Sequence, residues 1–227
     1  MRIIFMGTPD FAVPTLKSII ESQHSVVCVV TRPDRPKGRG MDLTPPPVKI
    51  VADSFGITVL QPDSVKENGF IDKLKDVKPD IIVVVAFGQI LTEEILNIPR
   101  YGCINLHASL LPKYRGAAPI NWAVINGDEI TGVTTIQMDK GMDTGDILLK
   151  HEIKISPLYD AVTLHDRLAE MGAGAIIETL EMIESCTLSP IPQDHADASY
   201  APKLKKEDGL IDWGKDACEI YNLVRGV

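Results

Sequence analysis

The residues with the plainest capacity for chemistry lie in INLHASLLPKYRG, Ile104 to Gly116, where Asn105 and His107 sit two apart at the end of an apolar run. Side chains two apart on a strand point to one face, so the pair presents a carboxamide and an imidazole to one spot. If the strand is parallel, that spot lies beyond the carboxyl ends of the sheet, where open α/β sheets bind their ligands. The same spacing also fits a strand-end histidine satisfied by backbone and an asparagine that merely forms a turn. A candidate third member is Asp143, in the loop DKGMDTGD between Gly141 and Gly145, which is supple enough to bring a carboxylate to an imidazole. Against that, Asp139, Asp143 and Asp146 could simply cap and solvate a hairpin turn.

Other chemistries fit less well. Ser109 follows His107 by two residues but has no G-x-S-x-G elbow around it. The histidines are scattered at positions 24, 107, 151, 165 and 195, and the aspartates lack the alternating spacing of a calcium loop. Cys28, Cys103, Cys186 and Cys218 form no CxxC pair, so no metal is expected. After the first apolar run the turn reads GTPD rather than GxGxxG, which disfavours a nicotinamide dinucleotide. A carboxamide, an imidazole and a carboxylate without a nucleophile suit direct transfer of a group between two bound substrates. Donors would face an oxyanion while the imidazole moves protons.

Those residues need a frame. Ile3 to Phe5, Ser25 to Val30, Ile57 to Leu60 and Asp80 to Phe87 are apolar almost throughout and alternate with segments of helical spacing. That pattern predicts an α/β fold, a Rossmann-like, doubly wound and mostly parallel sheet covered on both faces. Val133 to Met138 and Ile147 to Ile155, joined by the Asp143 loop, read as a hairpin appended to it. A helix is expected from about Pro119 to Asn126. Ala161, Leu164, Leu168, Met171, Ala175, Ile176, Leu180 and Ile183 recur at three and four residues, so a long amphipathic helix spans about Tyr159 to Glu184. Residues 1–189 are read as one catalytic domain, the proline-punctuated 190–209 as a linker, and 210–227 as the start of an incomplete second domain.

The chain has 227 residues, 44% hydrophobic and 24% charged, enough to bury a sizeable core. Neither a membrane span nor a signal-peptide core is visible, and a cytoplasmic monomer is expected. Net charge is −8, which argues against coating nucleic acid by bulk electrostatics. Between Arg32 and Lys49, however, five basic residues (Arg32, Arg35, Lys37, Arg39, Lys49) face only Asp34 and Asp42. This local excess hints at a polyanionic partner met at one loop.

NLHASLLPKYRGAAPINW together with MDKGMDTGDILL resembles the formyltransferases that use 10-formyltetrahydrofolate. MRIIFMGTPDFAVPTL and TRPDRPKGRGMDLTPPPVK resemble, within that family, the members acting on methionyl initiator tRNA, and the likeness runs over essentially the whole chain. The resemblance implies that Asn105, His107 and Asp143 form the catalytic trio. It implies that the folate lies along Ser109, Leu110, Leu111 and Pro112 and against Phe87, Gly88, Gln89, Ile90 and Leu91. Phe87 and Ile90 are the candidate walls for the pterin, although AFGQIL also reads as a strand end and helix start packed in the core. It further implies that Arg35, Lys37 and Arg39 meet the tRNA, with Arg39, between Gly38 and Gly40, the first candidate. Members of that branch continue past RGV into a barrel-like second domain, so the chain is expected to stop just inside it. The same trio could serve an amino-sugar nucleotide or water as acceptor, and a noncatalytic tRNA- or folate-binding module is a further reading.

Overall fold

The structure is a computed structural model, which describes residues 1–37 and 42–227. Arg39 lies outside the described residues, as does the side chain of Lys37. In chain order the elements begin with β1 (Arg2–Gly7), α1 (Val13–Glu21), β2 (Ser25–Val30), β3 (Arg35–Lys37), β4 (Asp42–Thr44), α2 (Pro47–Ser54) and β5 (Val59–Leu60). They continue with α3 (Phe70–Asp76), β6 (Ile81–Val85), α4 (Glu93–Leu96), β7 (Cys103–His107), β8 (Arg115–Gly116) and α5 (Pro119–Ile125). The chain closes with β9 (Ile130–Gln137), β10 (Ile147–Lys154), α6 (Ala161–Glu184), β11 (Tyr200–Ala201) and α7 (Ala217–Gly226).

Seven strands form the main sheet in the order β10-β9-β7-β6-β1-β2-β5. From β5 to β7 the pairings are parallel, and β9 and β10 add an antiparallel hairpin at one edge. Apolar runs without polar alternation produce this, because strands with helices on both faces bury both sets of side chains. Along β1, Ile3 and Phe5 join Leu16, Ala52, Leu168, Ile176 and Leu180 on one face. Ile4 and Met6 join Phe70, Leu74, Ile82, Val84 and Ile95 on the other. The Asp160 carboxylate caps α6, accepting from the Thr163 N–H at 2.7 Å.

Two expectations need correction. The run Ile57–Leu60 contributes only Val59 and Leu60 to the sheet, because the Ile57 N–H is spent on the Ala52 carbonyl at the end of α2. After β6 no helix starts at Phe87. Ala86 (φ 47°) and Gly88 (φ 76°) turn the chain through the left-handed region, and α4 begins only at Glu93, behind the Thr92 cap.

Residues 190–209 run over the surface of residues 1–189, with short 3₁₀ turns at His195–Asp197 and Lys206–Gly209, and are bonded to it at several points. Ile191 and Ile147 exchange two backbone hydrogen bonds of 2.8 Å. β11 pairs in parallel with β8, and the Trp122 indole N–H donates to the Pro202 carbonyl at 2.7 Å. α7 lies against α5, where the Asn121 amide donates to the Gly226 carbonyl at 2.7 Å.

Candidate active site

β7 delivers Asn105 and His107 to the carboxyl end of the sheet, between parallel β6 and antiparallel β9. There a cleft of about 640 Å³ opens, within the range typical of small-molecule sites. Asn105, His107 and Asp143 all line it, so the sequence-predicted trio meets at one place. The chain reaches this geometry through strained backbone: Ala86, Tyr114 and Asp143 all have positive φ, at 47°, 61° and 54°. Non-glycine residues held there are characteristic of sites whose surroundings over-determine them.

His107 is 6% exposed and anchored through Nε2, 2.8 Å from the Tyr114 carbonyl oxygen. A carbonyl only accepts, so the proton of the neutral ring sits on Nε2 and Nδ1 carries the lone pair. Nδ1 faces Asp143, whose Oδ1 is 3.6 Å away, beyond direct hydrogen-bond range. The other carboxylate oxygen accepts from the Gly116 N–H at 2.8 Å, which ties the Asp143 loop to β8. Gly116 itself has φ 117°, and an added Cβ would sit 2.9 Å from the Ala201 carbonyl oxygen. The half-buried Asn105 carboxamide has no hydrogen-bond partner among the described residues, so its NH2 is available to a ligand.

One wall of the cleft is Phe87 to Leu91, with Phe87 buried at its base and Ile90 exposed at its lip. Pro9, Phe11, Pro119, Ile120 and Met142 contribute further apolar surface. The four side chains of Ser109 to Pro112 do not line it. Ser109 and Leu111 are fully buried. The Ser109 hydroxyl donates to the Lys113 carbonyl at 2.6 Å, and Leu111 packs with Ile136 and Ile147. Buried Thr134 braces this turn, donating to the Ser109 carbonyl at 2.6 Å and accepting from the Leu111 N–H at 3.1 Å. A second, more open depression of about 630 Å³ between α4 and the end of β9 holds none of the trio.

In the basic segment, Lys49 is occupied by Asp34 at 2.9 Å, and the Gln61 and Lys49 hydrogen bonds hold the Asp34 carboxyl below its ordinary value. Arg32 donates to the Gly88 carbonyl, while Arg35 is exposed. Of the expected tRNA contacts, Arg35 is thus the one whose described side chain stands open to a polyanion.

Residues 1–180 match the family profile described as formyl transferase, and residues 203–227 match the formyl transferase C-terminal domain. The chain belongs to the formyl transferase family. It is 59% identical over 226 residues to the methionyl-tRNA formyltransferase of Geobacter metallireducens, covering 100% of this chain and 73% of that protein. It is 57% identical over 228 residues to that of Caldanaerobacter subterraneus subsp. tengcongensis, covering 100% and 74%. Among solved structures it is similar to WlaRD, a sugar 3N-formyl transferase crystallised with dTDP and 5-N-formyl-THF, with a TM-score of 0.74. That likeness carries 22% identity over 100% of this chain and 78% of the other, and it bears on the fold alone. For a formyl transferase, the Nε2 anchor on Tyr114, the Gly116 clasp on Asp143 and the Thr134 brace are site features beyond the trio. In the sequence Tyr114 and Gly116 lie close after His107 in KYRG, but nothing in their types or spacing marks these contacts.

Proposed function

We propose that the chain transfers the formyl group of 10-formyltetrahydrofolate to the α-amino group of methionyl initiator tRNA, giving the formylmethionyl-tRNA used to start translation. The observation that carries this is the convergence of Asn105, His107 and Asp143 in one cleft of a chain 59% identical to a methionyl-tRNA formyltransferase.

The cleft fits the folate: it is roomy and largely apolar, and its Asn105 donor is unspent. Bound there against Phe87–Leu91, the folate supplies the formyl carbon on N10, and the Ser109–Pro112 turn backs the cleft where Leu111 packs on its lining residue Ile136. The Asn105 NH2 faces the formyl oxygen, where negative charge develops as the neutral amine attacks the carbon. His107 accepts the proton of the attacking nitrogen at Nδ1, the ring position left open by the Tyr114 bond, and passes it to N10 as the C–N10 bond breaks. Asp143 confronts Nδ1 and fixes the face on which that proton is held. Atoms balance: amine and N10-formyl donor become formamide and tetrahydrofolate.

Arg35, Lys37 and Arg39 meet the tRNA, as the basic island in an acidic chain favours. Residues 1–189 carry the chemistry, and 190–227 lead into the C-terminal domain. The deciding assay supplies 10-formyltetrahydrofolate with charged initiator tRNA, an amino-sugar nucleotide or no acceptor. Formyl-methionine in the first arm alone is expected. Formyl transfer confined to the second, or donor hydrolysis in the third, would overturn the reading.

A further inference from the structure

Arg115 is 2% exposed, yet its guanidinium bonds to no carboxylate among the described residues. Its Nε and Nη2 donate to Gln193 Oε1 at 3.1 and 2.6 Å, and Nη1 donates to His195 Nδ1 at 3.1 Å. Because arginine has only donors, the Gln193 oxygen must face it, and the Gln193 NH2 must face the other way. That NH2 donates to the Asp143 carbonyl at 2.9 Å and to the Gly145 carbonyl at 2.7 Å. Gln193 is 7% exposed and comes from the segment read as a linker. It spends its whole amide on a buried guanidinium and on the loop that carries Asp143. The same segment grips the other side of the site: Ser199 Oγ accepts from the Tyr114 N–H and the Ser199 carbonyl from the Arg115 N–H, at 2.9 and 2.8 Å.

We propose, resting on the formyl-transfer reading, that Gln193 is a positioning residue: with Arg115 behind it, its NH2 clamps the Asp143–Gly145 backbone and sets the Asp143 carboxylate against His107. Asp143 occupies the left-handed region, which aspartate tolerates better than most residues but does not favour, and the two Gln193 bonds hold that backbone from outside the loop. The strap formed by 191–201 thus sets the site as well as covering the surface.

Gln193→Glu separates positioning from packing, since it keeps an acceptor for Arg115 but turns a carboxylate onto two carbonyls. We expect Gln193→Glu and Gln193→Ala to unfold cooperatively and to lose about ten- to a hundredfold in kcat, with the folate KM within about twofold. In an Asp143→Asn background, Gln193→Ala should cost less than about threefold more, because the two act through one carboxylate. The His107 imidazole nitrogen resonances at fixed pH should shift with Gln193→Ala in the direction seen with Asp143→Asn. Unchanged kcat in folded Gln193→Glu, a full additional cost in the Asp143→Asn background, or unmoved His107 resonances would overturn the proposal. If the parent chain formylates no acceptor, the functional reading fails, while the His107 resonances still decide the role of Gln193.

Discussion

His107 Nε2 lies 2.8 Å from the Tyr114 carbonyl oxygen, and this contact determines which ring nitrogen can exchange a proton in the cleft. Nδ1 is the nitrogen left unbonded, opposite Asp143 Oδ1 at 3.6 Å, and on the proposed function it is the atom that takes the proton. His107→Ala should therefore abolish most transfer, and Asn105→Ala should lower turnover about 10²- to 10³-fold, the usual cost of one oxyanion donor. Both are read as single-turnover rates with saturating donor. Near wild-type rates in both variants would refute the assignment.

Asp143 makes two contributions that substitutions can separate. Asn at 143 keeps an oxygen for the Gly116 N–H and tolerates φ 54°, but it carries no charge. Asp143→Asn should fold with little loss of stability and turn over slowly. Asp143→Val loses the bond and places a β-branched residue in the left-handed region, so it should also melt earlier. Equal melting of the two variants would contradict this account of the loop.

The frame of the site was legible because its signals are local. The apolar runs of β1, β2 and β6 and the three-and-four spacing of α6 are periodicities, and they match the observed strands and helix. Asn105 and His107 share a face by the two-residue period of β7. Strand ends were less legible. Nothing in ITVL says that the Ile57 N–H is claimed by Ala52, and nothing in AFGQ says that Ala86 turns left-handed. Gln193 was invisible for a related reason. Its partners are 78 residues away at Arg115 and about 50 away at Asp143 and Gly145, so no window of sequence contains the contact. SLLP carried the likeness in sequence, yet burial turns the Ser109 and Leu111 side chains away from the cleft.

The basic segment should act on tRNA and leave folate alone. Arg35→Ala and Arg39→Ala should each raise the tRNA KM and reduce the slope of log affinity against log salt by about one, as expected for one lost phosphate contact. The folate KM should stay within error. A salt slope unchanged in both variants would remove these residues from the RNA surface.

The four cysteines should divide by exposure. Burial pushes the Cys28 thiol up to about 11 and the Cys103 thiol up to about 12, whereas Cys186 and Cys218 are exposed. Near neutral pH the buried pair holds a thiolate fraction on the order of 10⁻³ or less. A thiol reagent at pH 7.5 should label Cys186 and Cys218 quickly and reach Cys28 and Cys103 only on unfolding. Fast labelling of all four in the native state would mean that the sheet opens far more readily than its packing implies.

Two glycines on α6 should respond with opposite sign. A Cβ at Gly172 would lie 2.4 Å from a Leu106 methyl, and Leu106 sits between Asn105 and His107 on β7. Gly174, on the exposed side of the same helix, has no neighbouring atom within 4 Å of such a Cβ. Gly174→Ala should stabilise by about 0.5–1 kcal/mol through helix propensity alone. Gly172→Ala gains the same propensity but must push Leu106 aside, an overpacking cost of about 1–3 kcal/mol, so its net effect should be destabilising. Because Leu106 lies between the candidate site residues Asn105 and His107 on β7, Gly172→Ala should also slow transfer, whereas Gly174→Ala should leave it unchanged. Denaturant melts and turnover measured on both variants check the argument together. A stabilised, fully active Gly172→Ala would show that the contact between α6 and β7 does not set the position of the trio.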